Sequence, residues 1–228
     1  MTINVSISII NEAVLEVAAH LPTRVRNSGN WHGKPESELW RELVGAILGS
    51  AVSFEQAVLA LSKLDSENLT TPSRGLGRQQ GKIEQCLRFA GYRFPVSRSQ
   101  QIAASATAIY DGAQTLQSVL MSYVNATTAR RGLVDLCPGI GPKQASLFLR
   151  NIGYHDLAVL DRHVIAYLQY CRLITGGNVV ISSVQRYELL ERIVVNAASR
   201  LGLTVADFDL AVWITVRAIR GTCRQWDS

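Results

Sequence analysis

The chain has 228 residues, of which 47% are hydrophobic and 18% charged, with a formal net charge of +5. That is sequence enough for one large or two small domains with a buried core, and the balance excludes a disordered chain. The apolar runs are too short and too interrupted by charge to span a membrane, and the N-terminus has no basic n-region of a secretory signal. Cys86, Cys137, Cys171 and Cys223 are scattered, which fits neither a disulfide framework nor a zinc knuckle. We therefore expect a reducing compartment: the cytoplasm, near the nucleoid, or the nucleus of a eukaryote. The positive charge admits nucleic acid as a partner without requiring it.

In chain order, residues 1–35 read as an arm, ending in "NSGNWHGKPE", that leads into a first strong helix at Ser37. "ELWRELVGAILG" sets Leu39, Leu43, Ala46 and Ile47 three and four apart, one apolar face of a helix. "FEQAVLALSKL" repeats that period. Residues 68–82, "NLTTPSRGLGRQQGK", hold three glycines and three basic residues and read as a mobile loop, either solvated or a basic strap against phosphates. "IEQCLRFAGY" and "SQQIAASATAIY" are helical again, as are "YELLERIVVNAASRLG" and "VADFDLAVWITVRAIRG". "GNVVISS" reads as a loop rather than a strand. The pattern predicts an all-α protein of about ten helices.

The chemistry concentrates in "LVDLCPGIGPKQASLFL", residues 133–149. Leu133, Val134 and Leu136 end a helix, "PGIG" turns the chain, and Pro142 suits the first position of the next helix because its missing N–H would be unpaired there. Glycines at 139 and 141 let backbone come close to a ligand, and N–H groups at a helix start attract an anion. The backbone of Gly139, Ile140 and Gly141 is thus a candidate DNA-phosphate grip. Lys143 follows at the second position of that helix, where the positive end of the macrodipole opposes a further positive charge. That field favours the free amine, which can attack a carbon bearing a leaving group; the plain alternative is a surface lysine on a phosphate. Asp161 lies 18 residues beyond, directly before a helix. It can cap that helix, and the same carboxylate can hold an amine's proton or stabilise a cationic sugar. His163, two residues on, is either a phosphate donor or a packed histidine.

The hairpin with its lysine and the aspartate before a helix resemble the helix–hairpin–helix, Gly/Pro-rich loop, Asp superfamily of DNA glycosylases. "GIGPKQASLFLRNIGYHDLAVLDRHV" is similar to the second, archaeal-type family of 8-oxoguanine DNA glycosylase/AP lyases, and so are "ELWRELVGAILGSAVSFEQA", "LRFAGYRF" and "LTVADFDLAVWIT". The resemblance implies a single glycosylase unit over 1–228 with two helical subdomains flanking a cleft. Residues 36–152 form one and end in the helix–hairpin–helix at 133–150; residues 1–35 and 153–228 form the other. It implies that Lys143 is the nucleophile and Asp161 the essential acid, acting on a damaged base extruded from duplex DNA through a Schiff base and β-elimination. Asp209 and Trp213 match positions used at the base pocket. Carbonyls of Asp135, Cys137 and Ile140 match a monovalent-cation habit, so Na+ or K+ is expected there. No cofactor is otherwise expected: an iron–sulfur cluster needs four close cysteines near the C-terminus, where this chain has Cys223 alone. We expect a monomer with no membrane partner. This chain departs from the family in having no lysine after Lys143, in continuing as "RGTCRQWDS", and in carrying "ILGSAVSF" where a polar stretch is common. The competing expectations are a lyase for a different altered purine, and a helix–hairpin–helix module that binds DNA without cutting it. The module would have no use for Lys143 and Asp161 together.

Overall fold

The computed structural model describes residues 6–21, 31–175, 179–181 and 183–220. Eleven α-helices and two short 3-10 turns make up the regular structure among them, and no described residue lies in a strand. The chain divides into two compact units, one of residues 29–153 and one of residues 1–28 with 154–228.

The continuous unit holds the helices α2 (Glu36–Leu48), α3 (Phe54–Ser66), α4 (Gln80–Phe89), α5 (Pro95–Tyr110), α6 (Leu116–Met121), α7 (Ala126–Leu136) and α8 (Pro142–Ile152). Helix α2 is its axis: Leu39, Trp40, Leu43, Val44, Ile47 and Leu48 are all buried, a stripe too wide for a surface helix. Each such side chain contributes about 1.5–3 kcal/mol on leaving water. Glu36 ties the start of α2 to two other helices. Its Oε1 accepts the Tyr110 hydroxyl at 2.7 Å and the Leu116 N–H at 2.6 Å, and its Oε2 accepts the Gln117 N–H at 3.1 Å. Thr115 and Asn125 start α6 and α7 with reciprocal capping boxes.

Residues 68–82 carry regular structure and buried side chains that their composition does not suggest. Leu69 and Leu76 are buried, a 3-10 turn runs Leu76–Gln79, and α4 begins at Gln80. Gly77 lies so close to α5 that an added Cβ would collide with Thr107 and come within 2.8 Å of the Ala103 carbonyl.

The second unit joins both ends of the chain: α1 (Ile7–Ala19), α9 (Arg162–Tyr170), α10 (Val184–Arg200) and α11 (Val205–Ile219). The N-terminal arm expected from sequence therefore contains a helix. Ser6 caps it, and Ile10, Val14 and Ala18, spaced by four, bury one face against α11. Within "GNVVISS", Val179–Ile181 has no regular structure, Ser183 caps α10, and Gly177, Asn178 and Ser182 lie outside the described residues. Residues 221–228, most of the C-terminal extension, also lie outside them.

Candidate active site

Helix α7 stops at Leu136 because Pro138 has no N–H to offer the carbonyl of Val134. The last helical bond runs from the Cys137 N–H to the Leu133 carbonyl at 2.9 Å, and the Ile140 N–H closes a turn onto the Cys137 carbonyl at 3.1 Å. Gly139 sits at φ 82°, and a Cβ there would also collide with the side chain of Gln101. Its glycine is thus demanded from within. Gly141 is different: its φ of −91° suits any residue, and an added Cβ would meet nothing nearer than Gln144 Oε1 at 3.3 Å. Ile140 buries its side chain to 4% exposure and spends its N–H on closing the turn, so the N–H groups left for a phosphate are those of Gly139 and Gly141 and not that of Ile140. Burial pushes the Cys137 thiol up to about 11, against the Ser105 hydroxyl, which lowers it.

Pro142 opens α8 and Lys143 is its second residue, half-buried, on a helix start that no side chain caps. Ala145, Phe148 and Leu149 face inward as their spacing requires. Arg130 of α7 is fully buried and donates to the Ser146 hydroxyl of α8 at 3.3 Å. A second brace lies behind the turn. Arg98 donates to Gln101 Oε1 at 2.6 Å and to the Ser50 carbonyl at 3.2 Å, beside Ala51, which adopts φ 61°.

Asp161, in the other unit, caps α9: its Oδ1 accepts the N–H groups of His163 at 2.8 Å and Val164 at 2.9 Å. The residues before it, Leu157–Leu160, are buried and belong to no helix. Side chains of α10 and α11 satisfy their backbone. Glu191 accepts from Ala158 N–H, Asp209 from Val159 N–H and Tyr187 from Leu160 N–H, at 2.9, 2.8 and 3.0 Å.

Two expectations change here. Asp209 is 1% exposed and its carboxylate binds the peptide leading to Asp161, so it supports the site from within instead of lining a base pocket. His163 is 3% exposed, its ring edge-on to Trp213, which makes it the packed histidine and not the phosphate donor. Burial holds the imidazole below its ordinary range; Asp161 opposes this, and Arg162, Arg220 and Arg217 add to it. Arg162 Nε–H, 3.2 Å from Nε2, can only donate, so the neutral ring carries its proton on Nδ1, which is buried without a partner. Trp213 remains half-buried with the Arg217 guanidinium 4.8 Å from its ring centre. Among the described residues no three His, Cys, Asp or Glu side chains cluster as a metal site. Sequence reasoning missed Arg130, Tyr187 and Glu191. The signal was present, since Arg130 and Glu191 interrupt apolar stripes of helices predicted to pack inward.

Solved structures share this fold. The 8-oxoguanine DNA glycosylase of Thermotoga maritima matches with a TM-score of 0.77 at 26% identity, covering 92% of this chain and 95% of that one. The Methanocaldococcus jannaschii 8-oxoguanine glycosylase/lyase, crystallised with a 15mer DNA containing 8-oxoguanine, matches with 0.76 at 24%, covering 90% and 95%. The architecture is that of the helix–hairpin–helix DNA glycosylases. Within that class, the chain belongs to the 8-oxoguanine DNA glycosylase family, whose sequence pattern matches residues 23–203. The 8-oxoguanine DNA glycosylase/AP lyase of Sulfurisphaera tokodaii is 32% identical over 183 residues, 80% of this chain and 84% of that protein.

Proposed function

We propose that this chain removes 8-oxoguanine from duplex DNA and nicks the resulting abasic site. The observation that carries the reading is Lys143 at the second position of α8, directly behind the Gly139–Gly141 turn. The turn supplies backbone N–H groups and the positive end of a helix for a phosphate, with room at Gly141 for close approach. Lys143 Nζ forms a bond to the sugar C1′ as the bond from C1′ to the base breaks, and the base leaves with the electron pair. Asp161 contributes its carboxylate to hold the amine's proton and to stabilise positive charge on the sugar. Opening of the sugar ring gives the Schiff base; loss of a C2′ proton then expels the 3′ phosphate, and the strand is cut. Both groups come from one chain, so a monomer suffices, and the lysine route calls for no cofactor. The carbonyls of Asp135, Cys137 and Ile140 are oxygen donors that suit Na+ or K+, although that of Cys137 already accepts one hydrogen bond. A cation there would steady the turn.

Borohydride trapping tests the reading. On an 8-oxoguanine:cytosine duplex the protein should give a covalent adduct that is absent with undamaged DNA and with Lys143→Gln. Trapping on an abasic duplex alone would keep the lyase and assign the enzyme to a different altered base. No adduct on either duplex would leave a DNA-binding module.

A further inference from the structure

The stretch that delivers Asp161 is buried backbone outside any helix. Leu157, Ala158, Val159 and Leu160 are 2%, 0%, 6% and 4% exposed, so their N–H groups cannot turn to water and each needs an acceptor. Three consecutive N–H groups find theirs on side chains: Glu191 Oε1, Asp209 Oδ2 and Tyr187 Oη. The Tyr187 hydroxyl also donates its own proton to the Ala158 carbonyl at 2.7 Å, bridging two peptides. The Asp161 N–H then folds back onto the Val159 carbonyl at 2.8 Å. The peptide register from 158 to 161 is therefore set by side chains 27 to 50 positions away in sequence.

The Asp161 carboxylate makes this register matter. Both cap bonds fall on Oδ1, which leaves Oδ2 as the oxygen for chemistry. A carboxylate pivoting on one capped oxygen takes its direction from its own backbone, and that backbone is held by Tyr187 and Glu191, one turn apart on α10. Both lie on the stripe that also buries Leu190 and Val194. A leucine at 191 would fill that stripe as well and would leave the Ala158 N–H without its carboxylate acceptor. A carboxylate in this otherwise apolar face thus holds the peptide at Ala158.

We propose that Tyr187 and Glu191, with Asp209 between their two bonds, are positioning residues for excision: they form a splint that fixes the aim of Asp161 Oδ2. The proposal rests on the glycosylase reading above. Because the splint acts on a reacting group and not on the DNA backbone, it governs the rate of base removal and leaves affinity alone.

Tyr187→Phe keeps the ring and removes both bonds. Single-turnover excision from an 8-oxoguanine:cytosine duplex should fall about tenfold or more, in keeping with the sensitivity of catalysis to small misplacements. The Kd for a duplex carrying a tetrahydrofuran abasic analogue should stay within about twofold of wild type. A splint that acts through Asp161 has nothing left to aim once that carboxylate is gone, so Tyr187→Phe should not slow Asp161→Asn further. A second pair covers the case in which Tyr187→Phe does not fold: Glu191→Leu should slow excision several-fold more than Glu191→Gln, which retains an acceptor oxygen. Wild-type excision by Tyr187→Phe, equal slowing in the Asp161→Asn background, or equal rates for the two Glu191 variants would each overturn the splint. A wild-type protein inactive on this duplex would instead overturn the 8-oxoguanine reading on which the proposal rests, before any variant is compared.

Discussion

The two glycines of the hairpin are predicted to fail in opposite ways when each is replaced by alanine. At Gly139 the backbone is left-handed, with φ 82°, which costs an L-residue about 1–2 kcal/mol. The new methyl group also meets Gln101, whose amide is tethered to Arg98 at 2.6 Å and cannot swing away freely. Overpacking of that kind adds about 1–3 kcal/mol, while the stiffer unfolded chain returns about 0.4–1 kcal/mol. The net is a loss of about 2–4 kcal/mol, seen as a melting temperature lower by about 4–16 °C for a chain of this size. At Gly141 the backbone is ordinary and the nearest atom is the end of a flexible side chain. Gly141→Ala should cost only the ~0.5–1 kcal/mol of a poorer cap, yet its methyl would stand in the path of the proposed phosphate. Anisotropy titration with a tetrahydrofuran duplex should show affinity about tenfold weaker, equivalent to ~1.4 kcal/mol. Melting curves and titrations of both variants decide the matter. If Gly141→Ala binds DNA like wild type, or melts as early as Gly139→Ala, the division of labour argued for this turn is wrong.

Other outcomes follow from the same geometry. Asp161→Ser retains a good N-cap, so its melting temperature should stay within about 2 °C while excision falls at least about a hundredfold; a parallel fall in both would mean that Asp161 only caps. His163 has a folded-state pKa below its ordinary value of about 6.5. Below pH 6.5 the unfolded chain takes up the proton first, so this contribution is full above that pH and is lost as pH falls towards the depressed value. Melting temperatures from pH 7.5 to 5 should therefore decline less steeply in His163→Leu than in wild type, and an identical slope would contradict the assignment. Gly77→Ala, pressed against Thr107 and the Ala103 carbonyl, should destabilise by about 3 kcal/mol. A composition-type loop at 68–82 would show no such loss.

The helices that carry Lys143 and Asp161 were readable because their signals are local. A proline at a first helical position and an aspartate at a cap act within one turn of the residues they organise. Helix α1 was harder to read. Its buried stripe of Ile10, Val14 and Ala18 is blurred by Ile7, Ile9 and Leu15, which are 41%, 54% and 40% exposed, so apolar residues appear on every side. Residues 68–82 misled for the converse reason: polar and glycine-rich composition hides Leu69 and Leu76, whose burial depends on α5 being present to receive Gly77. Asp209 reads as a pocket carboxylate until its partner is known, and that partner is a peptide N–H fifty residues earlier. Such pairings have no footprint in sequence periodicity.

The division of the chain has a consequence for its synthesis. The unit with Lys143 is one uninterrupted stretch, 29–153, whereas the unit with Asp161 needs α1 from the beginning of the chain and α11 from near its end. On the ribosome the stretch that carries Lys143 therefore emerges whole before α11, the helix that supplies Asp209, has been made. Any chain broken off before residue 205 would keep Lys143 and the turn before it but not the α11 carboxylate that holds the peptide leading to Asp161.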